Sequence, residues 1–140
     1  MGAAAADRVA LMSIHQRWAE AIVDGRKRVE FRKRRLAEDI RTVLIYATAP
    51  TSQVIGQFTI SEMITDTPAR IWERFGAVGV IEKDAFFAYY GDAVSAVAIV
   101  VATAERFPDS LALTDFTPRP AVPQSFIYLP ADAHELASAG

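Results

Sequence analysis

Three side chains within six residues carry the chemistry this chain can offer: an amine at Lys27, a carboxylate at Glu30 and a guanidinium at Arg32. An amine beside an acid can move protons or, when neutral, act as a nucleophile. Glu30 can serve as general base toward an attacking water or a ribose hydroxyl, or it can orient Lys27 and Arg32. Arg32 offers a planar fork for a phosphate or a carboxylate, and equally for an internal pair with Glu30 or another acid. The cations flanking Lys27 lower its pKa while Glu30 raises it, so the two effects oppose each other. The plain alternative is a surface lysine paired with Glu30.

These residues lie in the run Gly25 to Arg35, GRKRVEFRKRR, where seven cations face one carboxylate, giving +6 in a chain of total charge −2. The remainder therefore carries −8, from −2 minus +6. Such a strip attracts phosphates, with its field screened over about 10 Å at about 0.1 M salt. Arg28, Arg34 and Arg35 read as phosphate-tracking or solvated. The whole strip also suits a charged edge strand that blocks aggregation. Phe31 has the parity of a core residue, and Trp18 and Trp72 sit on apolar helical faces where packing is the ordinary role. Tyr46, Tyr89, Tyr90 and Tyr128 have polar tips that suit a pocket. Thr48, Gln124 and Ser125 adjoin apolar strands, where hydroxyls and amides can reach a base edge or cap a strand end.

The elements that must position these groups follow from local signals. Ser13 and Gln16 have capping-box spacing, and Trp18, Ala19, Ile22 and Val23 share a face, which predicts a helix from about His15 to Asp24. Gly25 stands where a left-handed cap is wanted. The segment Lys27 to Arg35 then alternates as a strand, with Val29 and Phe31 on one face and Arg28, Glu30, Arg32 and Arg34 on the other. Strict alternation separates Lys27 from Glu30 and Arg32. The conflict vanishes if the chain is still turning at Arg26 and Lys27. Val43 to Thr48 and Val54 to Ile60 read as consecutive strands, with Gly56 marking a bulge or a close backbone approach. Thr67 and Pro68 start a helix that Gly76 ends, and Asp84 caps another running to Gly91. Val94 to Ala104 is the longest strand, Pro108 to Pro123 a loop and Ser125 to Leu129 a last strand.

One hundred and forty residues with 51% hydrophobic content suit one domain with a real core. The expected layout is an N-terminal tail over 1–10, a domain over 11–130 and a C-terminal tail over 131–140. With no cysteine there is no thiolate or disulfide, and His15 and His134 are the only histidines, so the expectation is chemistry without metal or cofactor. No signal-like start and no apolar run approaching the roughly 20 residues a bilayer needs are present, which predicts a soluble cytoplasmic protein with no membrane partner. Scattered glycines exclude phosphate-loop and dinucleotide fingerprints. The fold class expected is α+β, mostly β, a small barrel of five to six strands with helices in the connections.

Gly25, Lys27, Glu30 and Arg32 match the G-x-K-x-x-E-x-R signature, and the chain resembles the ASCH domain family of the PUA-like superfamily. SIHQRWAEAIVDG, VLIYATAP, VIGQF, PARIWERFG, AFFAYYGD and PQSFIYL resemble family blocks in that order, covering nearly all of residues 11 to 129. The resemblance implies a PUA-like barrel with a pocket near the first helix and the signature strand, suited to RNA or a modified nucleotide. Some family members are acetylated-cytidine amidohydrolases, and ribonuclease activity occurs in the superfamily. In the amidohydrolase type a threonine stands at the position of Glu30 and belongs with the lysine to the catalytic set, and this chain departs from that pattern. The leading expectation is RNA or nucleotide binding through Lys27, Glu30 and Arg32, with Arg28, Arg34, Thr48, Gln124 and Ser125 in support. The alternatives are a metal-independent hydrolase using Lys27 and Glu30, and a small-molecule enzyme or protein-interaction module on the same fold.

Overall fold

The run Val9 to Met12 (VALM) is apolar without a break, and in the computed structural model it lies inside a strand buried on both faces. The structure describes residues 8–132. Six strands, β1 (Arg8–Ile14), β2 (Val29–Arg32), β3 (Thr42–Ala47), β4 (Gln53–Asp66), β5 (Ala96–Leu111) and β6 (Phe126–Pro130), form one mixed sheet in the order β2-β5-β4-β3-β1-β6. Helices α1 (Gln16–Val23), α2 (Pro68–Phe75) and α3 (Lys83–Tyr90) occupy the connections. β1 and β3 pair in parallel at the centre. Ala10, Met12, Ile14, Val43, Ile45 and Ala47 face one apolar cluster, with Val9, Leu11, Leu44 and Tyr46 facing another. Burial of both faces is what a central parallel pair requires, and it explains the unbroken apolar runs.

The α+β, mostly β class holds, but the sheet is not closed into a barrel: β2 and β6 end it at opposite edges. The tails expected at the termini fall largely outside the described residues, and Arg8 to Ala10 run in β1. Several local expectations are corrected. Ser13 lies in β1 with its hydroxyl donating to the Pro123 carbonyl at 2.6 Å, and the cap of α1 is His15, whose Nδ1 accepts from Arg17 N. The cap of α3 is Glu82 rather than Asp84. β4 continues to Asp66, past the expected Ile60. β5 runs on to Leu111 through Pro108, which sits where the β4–β5 register jumps between Arg106 and Leu111, a bulge that needs no amide from it.

Other local readings stand as written in the chain. Thr67 caps α2 with Pro68 at its start, and Gly91 follows α3 at φ 55°. At Gly56 an added Cβ would run into the Glu105 carbonyl, so the close approach expected there is real, and the register shifts beside it. Helices α2 and α3 cover Val29, Phe31, Ala96 and Ala98 with Ile71, Phe86 and Tyr90. Phe31 meets Phe86 edge to face, with ring centroids 4.9 Å apart. This packing fixes one face of β2 and leaves its other face, bearing Glu30 and Arg32, toward α1.

Candidate functional site

The turn after α1 delivers the site. Gly25, at φ 83°, lets Gly25 N bond the Ile22 carbonyl and Arg26 N bond the Ala21 carbonyl, a Schellman ending. Lys27 N also donates to the Ala21 carbonyl at 3.0 Å, so Lys27 belongs to the turn. Arg28 N then bonds the Val78 carbonyl, and β2 starts at Val29. Lys27 therefore precedes strand alternation, and the conflict of parity does not arise. The strand itself is four residues, shorter than the expected Lys27 to Arg35.

Lys27 and Glu30 are 2% and 4% exposed, so they form a buried charge pair and the alternative of a surface lysine does not hold. The Lys27 ammonium donates to the Gly79 carbonyl and stands 3.7 Å from Glu30 Oε1. Arg32 Nη1 donates to Glu30 Oε2 at 3.1 Å and to the Ser13 carbonyl at 3.4 Å, while its Nη2 donates to Ser125 Oγ at 2.6 Å. Glu30 thus lies between two cations. Lys27 Nζ is also 5.0 Å from the Phe31 ring centroid and 5.8 Å from that of Trp18. Burial pushes the Lys27 pKa down from its ordinary value, and the Glu30 carboxylate pulls it partly back.

These groups open onto a cavity of about 130 Å³ lined by His15, Trp18, Lys27, Glu30, Phe31, Arg32, Ile81 and Tyr89. Among the described residues, Trp18 Nε1 is a buried polar atom without a hydrogen-bond partner. The indole N–H is closed to solvent, so Trp18 borders the cavity with its ring. The tilted His15 ring lies 5.4 Å from Trp18, and exposed Tyr89 has Lys33 Nζ 5.0 Å from its ring centroid. Lys27 and Arg32 can donate to acceptors, Glu30 can accept from a donor, and the aromatic rings can flank a planar ligand.

Of the residues singled out by sequence, Lys27, Glu30 and Arg32 meet at this cavity, and Ser125 touches it through Arg32. Arg28 and Arg34 are exposed, with side chains outside the lining. Thr48 and Gln124 are not part of it either: Thr48 serves the turn after β3, where its N bonds the Ile14 carbonyl, and Gln124 is exposed before β6. Phe31 packs as core and shows its ring to the cavity as well. Of the four tyrosines only Tyr89 lines it; Tyr46 is core, Tyr90 Oη donates to the Arg32 carbonyl, and Tyr128 Oη accepts from Ala37 N. Sequence reasoning missed His15, Ile81 and the Gly79 carbonyl as parts of the site. His15 carried a signal, since a residue beginning a helix next to a tryptophan one turn on shares its end.

A larger cavity of about 420 Å³, lined by Phe116, Pro118, Arg119, Ile127 and Leu129 among others, lies on the face of β6 opposite Phe126 and Tyr128. It gathers none of the residues above. Among the described residues no three His, Asp or Glu side chains cluster to hold a metal ion, and no helix is long and apolar enough to cross a membrane.

The ASCH domain profile matches residues 12–107. An ASCH domain-containing ribonuclease of Zymomonas mobilis is 30% identical over 93 residues, covering 66% of this chain and 63% of the relative. The large ribosomal subunit protein uL22 of Ureaplasma parvum is 29% identical over 106 residues, which are 76% of this chain and 34% of that protein, so the chain spans about a third of that relative's length. The crystal structure of ASCH from Zymomonas mobilis superposes with a TM-score of 0.84 at 24% identity, covering 94% of each chain.

Proposed function

The chain belongs to the ASCH domain family, and on that premise we propose that it binds single-stranded RNA, taking one base into the cavity at Lys27, Glu30 and Arg32. The exposed cations Arg28, Lys33 and Arg34 hold neighbouring phosphates. The observation that carries this reading is the withdrawal of Lys27 and Glu30 from water beside an open cavity. Buried ion pairs cost several kcal/mol in desolvation and apolar residues of similar volume are often no less stable, so a ligand supplies the reason for them. Titrating a labelled oligoribonucleotide at several salt concentrations tests it. Log affinity should fall with log salt at a slope of about −0.7 per neutralised phosphate, and absent or salt-independent binding refutes the reading.

A second reading, metal-independent hydrolysis of RNA, is favoured by the lowered Lys27 pKa beside Glu30 and by the similar Zymomonas protein named a ribonuclease. A deprotonated Lys27 would accept the proton of a ribose hydroxyl or water as that oxygen bonds to phosphorus, the P–O bond to the 5′ oxygen breaks, and the leaving oxygen takes a proton from solvent. Product formation in chelator, abolished by Lys27→Ala in a protein that still melts cooperatively, supports it. Full activity in that variant removes Lys27 from the mechanism.

A further inference from the structure

Resting on the RNA-binding reading, we infer that the cavity selects a base whose hydrogen-bonding edge runs acceptor, donor, acceptor, which is the Watson–Crick edge of uracil. The order of groups on the protein carries this. Glu30 Oε2 is engaged by Arg32 Nη1 at 3.1 Å, whereas Oε1 is held more loosely, in an ion pair with Lys27 Nζ at 3.7 Å. That oxygen keeps a lone pair to accept with, and a cation stands on either side of the carboxylate. Lys27 donates to Gly79 and keeps further N–H groups, and Arg32 keeps the protons not given to Glu30, Ser13 and Ser125. Lys27 stands at one oxygen of Glu30 and Arg32 at the other, so the acceptor sits between two donors.

The two carbonyls of uracil suit the flanking donors, and its N3–H suits Glu30. Cytosine and adenine place a ring-nitrogen lone pair where Glu30 needs a proton. Guanine offers two adjacent donors and asks for both carboxylate oxygens, one of which Arg32 already uses. It is also a double ring, against a cavity of about 130 Å³. Discrimination by one such polar pair amounts to roughly tenfold to a hundredfold. Bases read in this way must be unstacked, as in single strands.

Competition by short oligouridylate, oligocytidylate, oligoadenylate and oligoguanylate, at equal length and salt, reads this out on the unaltered protein. Oligouridylate should win by about tenfold or more, and an oligomer carrying N3-methyluridine, which lacks the central donor, should lose that advantage. Equal affinity for all four, tighter binding of another base, or indifference to N3-methylation overturns the inference while leaving RNA binding intact. Failure of every oligomer to bind overturns the RNA reading along with it. As a second measurement, Glu30→Gln should raise the relative affinity for oligocytidylate, because the amide can donate to the cytosine ring nitrogen; an unchanged order of preference in the folded variant overturns the role given to Glu30.

Discussion

Arg32 Nη2 stands 2.6 Å from Ser125 Oγ, joining the end of β2 to the residue before β6 across the open side of the sheet. The same guanidinium reaches the Ser13 carbonyl of β1 and the carboxylate of Glu30. The two edge strands are thus linked by one side chain where a closed barrel would have a backbone ladder. That guanidinium also lines the cavity beside Glu30, so the seam and the site share a residue.

Removing the link tests this dependence. Ser125→Ala should cost about 1.5 kcal/mol, the low end for one hydrogen bond to a charged group, while Arg32→Lys, which keeps the charge and loses the fork, should cost about 2–3 kcal/mol. Urea denaturation measures both. Equal small losses would show that the seam holds without the guanidinium.

Trp18→Phe separates binding from stability. It keeps an aromatic ring but deletes the unpaired N–H, so the stability change should stay within about 1 kcal/mol, as relief of a stranded donor offsets a slightly smaller ring. RNA affinity should stay within about threefold, since the ring that borders the cavity is kept and the lost N–H is closed to solvent. Anisotropy titrations of both proteins decide it, and a loss of about tenfold or more would show the indole N–H turning to meet the ligand.

The exposed cations act through charge alone. Arg34→Ala should reduce the slope of log affinity against log salt by about 0.7 and leave the thermal midpoint nearly unchanged. An unaltered slope would place Arg34 off the phosphate path.

Lys27 predicts a pH dependence of stability. Its folded pKa lies below the ordinary 10.5 because burial disfavours the charged amine. Between that folded value and 10.5 the unfolded chain binds the extra proton, so the Lys27 contribution to stability rises with pH across that window. Melting wild type and Lys27→Met in parallel from neutral pH upward should show the difference shifting toward wild type. A constant offset would mean the amine titrates alike in both states.

Local sequence fixed whatever depends on near neighbours. Gly25 ends α1 because φ 83° suits a residue without a Cβ, and that ending aims Lys27. Thr67 with Pro68 starts α2 for equally local reasons, and the parity of Val29 and Phe31 against Glu30 and Arg32 follows from the period of a strand. The residue types at the site were legible for the same reason. Burial was not. The Lys27 acceptor, Gly79, is 52 residues away, and the Arg32 partner, Ser125, is 93 away. Whether a charge in the cationic run is solvated or enclosed depends on what the distant chain lays over it, and so Lys27, Glu30 and Arg32 went inside while Arg28 and Arg34 stayed out. β1 escaped notice because its evidence is a parallel partner more than thirty residues on, Ala10 opposite Val43, and pairing at that range leaves no local turn signal.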